Sequence, residues 1–302
     1  MNSPAHLPPK TSKKSHTEVK PVGPNSYTWK DFGSYIYLLV LPEALVLQAA
    51  HPVVNSAVTT TQKYRTDPWG RAETSLKMLW PVVYSRPKKA IENGRAIREW
   101  HRPLKGVDKH GKKYHALDPE AYAWVHMTGF DAMIRMHRFF VDEPLSDKQR
   151  ADMFAEWQQM GHMVGVDPRQ IPETEKEYWQ AYNRMIEESL VHTEVLDHAL
   201  SLTEFVDGIT KPDSLKNLPD SLWKAMFIAP AFFYGKLIAA TLPENFRKRF
   251  GVKYSKLDDT AFKMFAWGVR KIYPRLPEKR RYIPLAWRSI KDARHHPEAY
   301  AM

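Results

Sequence analysis

The 302 residues include no cysteine. That excludes disulfides, thiolate-bound zinc, cysteine-ligated iron–sulfur clusters and a cysteine nucleophile together. Glycine is sparse, at 13. It never falls into the G-x-G-x-x-G or G-x-S-x-G spacings, so a dinucleotide loop or a nucleophile elbow has no footing. The segment from Gly106 to Lys113 comes near a phosphate-cradling P-loop. However, Lys113 stands where a hydroxyl would hold magnesium, and no apolar strand precedes Gly106, so it reads as a connection. Long apolar runs are also missing. Pro42 and Glu43 interrupt Tyr35–Ala50, and Pro230 and Lys236 interrupt Ala225–Leu242, whereas a bilayer span takes about 18 or more apolar residues.

Acidic residues are in deficit: 34 Asp and Glu against 45 Lys and Arg leave a net charge of +11. Such a charge suits an anionic partner. The basic residues form short scattered clusters (Lys88-Lys89, Arg247-Lys248-Arg249, Lys279-Arg280-Arg281) without zinc-finger spacing or an aromatic RNA-binding signature, so no specific nucleic-acid partner is expected. Residues 1–27, rich in Pro, Ser and Lys, read as a disordered basic tail rather than a signal peptide. The expectation is a cytoplasmic or peripherally membrane-associated protein.

What is present is helix. Asp67-Pro68 and Asp118-Pro119 pair an N-cap with proline at the first helical position, opening helices toward Trp80 and Phe140. Pro87 opens another that ends near His101, before Pro103. Ser146-Asp-Lys-Gln149 is a capping box for a helix to about Val164. Further helices are expected from Pro172 to about Leu200, from Asp220 until Pro230 breaks it, and over 257–272. The whole reads as one all-α domain over 28–302.

With 13 histidines and many glutamates, a di-iron bundle is the first chemistry to test. It needs Glu-x-x-His, which puts two ligands on one helix face, and no histidine here has a glutamate three residues before it. Glu188/His192 and Glu194/His198 have four-residue spacing and read as surface pairs. On the helix from Asp118, Tyr122, His126, Phe130, Met133 and His137 fall within roughly a 90° arc at about 100° per residue. That stripe reads either as a core face or as one wall for a flat cofactor. His101, at a helix C-terminus, either meets the helix dipole or ligates a metal beside an apolar wall. Arg71 sits in a first helical turn, where the dipole disfavours a cation. It either pairs with an acid or faces an anion, such as a propionate or a reduced oxygen species.

Several motifs occur in order: Ala49-Ala50-His51-Pro52-Val53-Val54; Arg65-Thr66-Asp67-Pro68-Trp69-Gly70-Arg71; His101-Arg102-Pro103-Leu104-Lys105-Gly106; Gly111-Lys112-Lys113-Tyr114-His115-Ala116-Leu117-Asp118-Pro119; Trp124-Val125-His126; and Leu242-Pro243-Glu244-Asn245-Phe246-Arg247. Together, over about residues 30–290, they resemble the rubber oxygenase (latex clearing protein) catalytic-domain family, which also includes the membrane-bound oxygenase of mycophenolic acid synthesis. The resemblance implies an all-helical fold with distantly globin-like packing, haem b, and O2-dependent cleavage of a carbon–carbon double bond in an isoprenoid. It implies His101 as the proximal iron ligand, with His126 as the alternative, and Arg71 as the distal arginine. Thr74 and Ser75 stand where the latex enzyme has lysine and threonine. His126, Phe130 and Met133 would line the pocket. The expectation is therefore a haem-dependent oxygenase acting on an apolar, unsaturated lipid or isoprenoid. The alternative is a non-enzymatic helical protein that binds lipid or a membrane surface.

Overall fold

Proline starts six of the helices, at the first or second helical position, where its missing N–H has no intrahelical partner to lose. The computed structural model describes residues 19–60, 62–201, 206–207 and 215–301. Among these, the helices are α1 (Tyr27–Asp31), α2 (Leu41–Ala49), α3 (Pro52–Thr59), α4 (Lys63–Thr66), α5 (Pro68–Tyr84), α6 (Pro87–His101), α7 (Pro119–Phe140), α8 (Asp147–Met163), α9 (Glu175–Arg184), α10 (Glu194–Leu200), α11 (Asp220–Thr241), α12 (Glu244–Phe250), α13 (Lys256–Ile272) and α14 (Pro284–His295). The caps read from the sequence form: Asp67 accepts from the Gly70 N–H at 3.0 Å and Asp118 from that of Ala121 at 3.1 Å. The Ser146 capping box is also complete.

α7 runs through the main core, packed by α2, α8, α9 and α13. It buries Trp124, Phe130, Met136 and Phe140 almost completely. A smaller cluster joins the two ends of the chain: Val22 and Trp29 pack with Tyr84, Ile290 and Tyr300. Of the tail expected over 1–27, residues 1–18 lie outside the described residues, and Val22 is buried in this second cluster.

The structure departs from the sequence reading in three places. The glycine-bearing connection after α6 is a β-hairpin in which β1 (Lys105–Val107) pairs antiparallel with β2 (Lys113–His115). In its turn Gly111 takes φ +79°, and Asp108 Oδ1 accepts the N–H groups of His110 and Lys112 at 2.9 Å each. A carboxylate thus occupies the place a phosphate would take in a P-loop. The helix expected from Pro172 to Leu200 is two. It leaves α9 through a π-turn, Met185–Ser189, and breaks before Thr193 caps α10. Tertiary bonds divert it: the Val191 N–H and the Thr193 hydroxyl donate to the Ala50 and Ala49 carbonyls at 2.9 and 2.6 Å. Pro230, finally, lies inside α11, which continues through it to Thr241.

Candidate functional site

α5 and α6 form an antiparallel hairpin turning at Ser85-Arg86. Asn93 fixes its register: its side-chain amide donates to the Pro81 carbonyl at 3.1 Å and to Ser85 Oγ at 3.0 Å. From that turn the two helices run back together, with His101 closing α6 and Arg71 in the first turns of α5. The imidazole and the guanidinium, 30 positions apart in the chain, thus lie toward the same, open end of the hairpin on its two arms. α6 also packs closely on α8: Ala90, Gly94 and Ile97 are buried on its inner face, and His101 continues that stripe. A Cβ on Gly94 would stand 2.6 Å from the Met163 carbonyl oxygen.

His101 is half-buried, and its Nδ1 lies 2.8 Å from the Ile97 carbonyl. A carbonyl only accepts, so Nδ1 carries the proton and the lone pair sits on Nε2, the arrangement usual for a metal-ligating histidine. Burial lowers the His101 pKa, more than the Ile97 bond raises it, which favours the neutral ring. Trp100 and Tyr122 meet the ring edge-on, at 4.9 and 5.7 Å between centroids, and the Tyr122 hydroxyl is anchored on the Val164 carbonyl at 3.0 Å. Arg71 is half-buried, and burial alone lowers its pKa. No carboxylate among the described residues pairs with it. A desolvated guanidinium without a carboxylate is costly, and a cation so placed suits an anion or oxygen acquiring charge.

The other predicted residues lie apart from this pair. The hydroxyls of Thr74 and Ser75 are exposed and donate to the carbonyls of Gly70 and Arg71, 2.7 and 3.0 Å away on their own helix. His126 Nε2 bonds the Trp157 carbonyl at 2.9 Å, so the nitrogen it would offer a metal is engaged. Phe130 is enclosed by Phe154, Trp157, Tyr178 and Trp179, about 12 Å along α7 from Tyr122. Met133 is buried in the same core.

Two further constellations escaped the sequence reading. His51, the N-cap of α3, is buried and its Nδ1 accepts the Val53 N–H at 3.2 Å. Burial lowers its pKa to about 4, against the field of Asp118 and with that of Lys112. The His-Pro dipeptide at a helix start was the available signal, a histidine in place of the usual Ser or Asp cap. In the core, Arg135 Nε donates to Asp131 Oδ2 at 2.7 Å and lies 3.5 Å from Glu43 Oε1, while the Tyr182 hydroxyl donates to Asp131 Oδ2 at 2.6 Å. Burial, then Asp131, raise the Glu43 pKa well above the usual range, Arg135 opposing. One cation thus serves two buried acids, which favours the protonated form of Glu43. No sequence spacing links α2, α7 and α9 in this way.

An all-α chain with a neutral histidine, an unpaired arginine and an aromatic surround at one end of a helical hairpin has the parts of an oxidative catalytic domain. The chain belongs to the family described as ER-bound oxygenase mpaB/B'/rubber oxygenase, catalytic domain, whose profile matches residues 29–271. No curated protein and no solved structure matches it.

Proposed function

We propose that this chain is a haem b-dependent oxygenase that uses O2 on an apolar, unsaturated lipid or isoprenoid. What supports the reading most is the His101 ring, whose Nδ1 lies on the Ile97 carbonyl and leaves the lone pair on Nε2, at the same end of the α5–α6 hairpin as Arg71. The donor set suits a porphyrin. Among the described residues no three His, Asp or Glu side chains gather to hold a metal ion by themselves, and a haem would need only one histidine from the chain. His101 supplies it through the lone pair on Nε2, with Nδ1–H on the Ile97 carbonyl fixing the ring. Bound haem would supply the activation of dioxygen. Arg71, which no carboxylate among the described residues pairs with, would lend a fixed positive charge to developing negative charge. Tyr122 and Trp100 orient the imidazole and exclude water from its flanks.

The test is a spectrum. Full-length protein produced with haem supplementation should carry about one haem per chain by the pyridine haemochrome method. His101→Ala should lose the Soret band, and His126→Ala should keep it. A haem-free wild type, or a His101→Ala protein that retains the band, overturns the reading.

A further inference from the structure

Exposed apolar side chains concentrate on two neighbouring helices. Met226, Ile228 and Phe232 of α11 and Leu257, Met264 and Trp267 of α13 are all exposed, Leu257 by 77%. At about 100° per residue the α11 trio spans roughly a 160° arc and the α13 trio roughly an 80° arc. The helices lie side by side: the rings of Phe233 and Phe265 meet at 5.1 Å, and Lys236 pairs with Asp258 at 2.9 Å. α11 is long and apolar enough to cross a bilayer, and only 28% of its apolar window is buried, unlike an ordinary core helix. It does not run free, however: Leu237–Thr241 are buried in the body, which leaves too few free turns for a span. A cavity of about 310 Å³ adjoins the same helix, lined by Phe232, Tyr234, Ile238 and Phe250 with Lys236 and Lys253.

We propose that the outer face of α11 and α13 docks on the surface of an anionic lipid bilayer, with its apolar side chains entering the headgroup–acyl boundary. Charge selects this occupant over a second copy of the chain. Residues 220–275 hold eleven Lys and Arg against four Asp and Glu, a net +7. Counting Asp142 and Asp207 as well, which pair with Lys271 and Lys224, leaves +5. Two such faces repel each other, whereas anionic lipid attracts each. Lys253 and Lys256, beside Leu257, have no partner among the described residues and are free for phosphate groups. An apolar stripe with a basic flank is the pattern of helices that lie in the interface plane. The inference is independent of the haem reading, since it makes no use of His101 or Arg71.

The experiment uses the full chain with phosphatidylserine–phosphatidylcholine vesicles and with phosphatidylcholine alone. Co-sedimentation should be about tenfold stronger, or more, on the anionic vesicles and should fall with added salt. The triple variant Met226→Glu/Phe232→Glu/Met264→Glu should lose it while keeping its circular dichroism and melting profile, because all three side chains are exposed. The lack of cysteine allows a second readout. A dye attached to Met264→Cys should shift to the blue on anionic vesicles, and the same dye at Arg95→Cys on α6 should not. Undiminished binding by the triple variant, no shift at position 264, an equal shift at both positions, or a dimer broken by the triple variant without any vesicle binding overturns the proposal.

Discussion

His126 and Trp157 clasp each other. His126 Nε2 bonds the Trp157 carbonyl at 2.9 Å, Trp157 Nε1 donates to the His126 carbonyl at 3.1 Å, and the two rings stack at 4.8 Å between centroids. Two reciprocal bonds and a stack join α7 to α8, so this histidine carries structural weight. His126→Ala should lower unfolding free energy by about 2–4 kcal/mol in a denaturant titration, through the cavity, the lost stack and the lost side-chain bond to the Trp157 carbonyl. It should leave the haem content per folded chain unchanged.

Acid should destabilise the protein through its histidines. Burial, the first cause at both positions, lowers the pKa of His51 and of His126 to about 4, below the value near 6.5 of an exposed ring. Between those values the unfolded chain binds a proton at each site and the folded chain does not. Stability is therefore full above about pH 6.5 and falls as pH drops toward 4, by about 1.4 kcal/mol per pH unit for each histidine. Denaturant titrations at several pH values should show this slope, and His51→Gln and His126→Gln should each flatten it. An unchanged slope in both variants would contradict the assignment.

Glu43 acts in the opposite direction. Its folded pKa is raised by burial and by Asp131, so stability is full below the ordinary carboxyl range and declines as pH rises through the folded value. Glu43→Gln keeps the shape and removes the titration. The variant should equal or exceed the wild type at neutral pH and lose less stability on going from pH 5 to 8. Glu43→Ala, which also opens a cavity, should be less stable than Glu43→Gln throughout.

The close approach of α6 and α8 can be tested at one atom. A methyl at Gly94 would meet the Met163 carbonyl oxygen at 2.6 Å, and backbone cannot step aside as a side-chain tip can. Gly94→Ala should cost about 1–3 kcal/mol, even though alanine is the better helix former. Because α6 must shift, it should also weaken haem retention. A neutral or stabilising effect would mean that the helices are less tightly apposed.

Arg71 should show a trade between stability and activity. An unpaired, half-buried guanidinium contributes little to the fold, so Arg71→Met should melt at or above the wild-type temperature. On the oxygenase reading it should lower turnover of an unsaturated isoprenoid by about tenfold or more. A markedly lower melting temperature would point instead to a structural partner for this arginine.

Helix starts were legible because proline and a capping side chain act within four residues: Asp67, Asp118 and Ser146 all cap as read. The end of α6 at His101 was legible from Pro103 just beyond it, and the family from motifs held in order. The break at Leu190 was not, because the acceptors that divert the chain, the Ala49 and Ala50 carbonyls, lie about 140 residues away. The convergence of Glu43, Asp131 and Tyr182 was hidden for the same reason. Thr74 and Ser75 were placed by alignment with a motif, and local chemistry turned their hydroxyls onto the preceding turn of their own helix.

Pro81 offers no N–H to the Lys77 carbonyl of α5, and Asn93 of α6 braces the same stretch through the Pro81 carbonyl. One rung is missing from the longer arm of the hairpin, and the arm is braced from its neighbour at that same place. Arg71 sits at the far tip, so a small change of angle at Pro81 becomes a displacement of the guanidinium several times larger, while His101 rides on the unbroken arm. The guanidinium's position thus depends on a turn about fifteen ångströms along its own helix, one that the neighbouring arm holds in place.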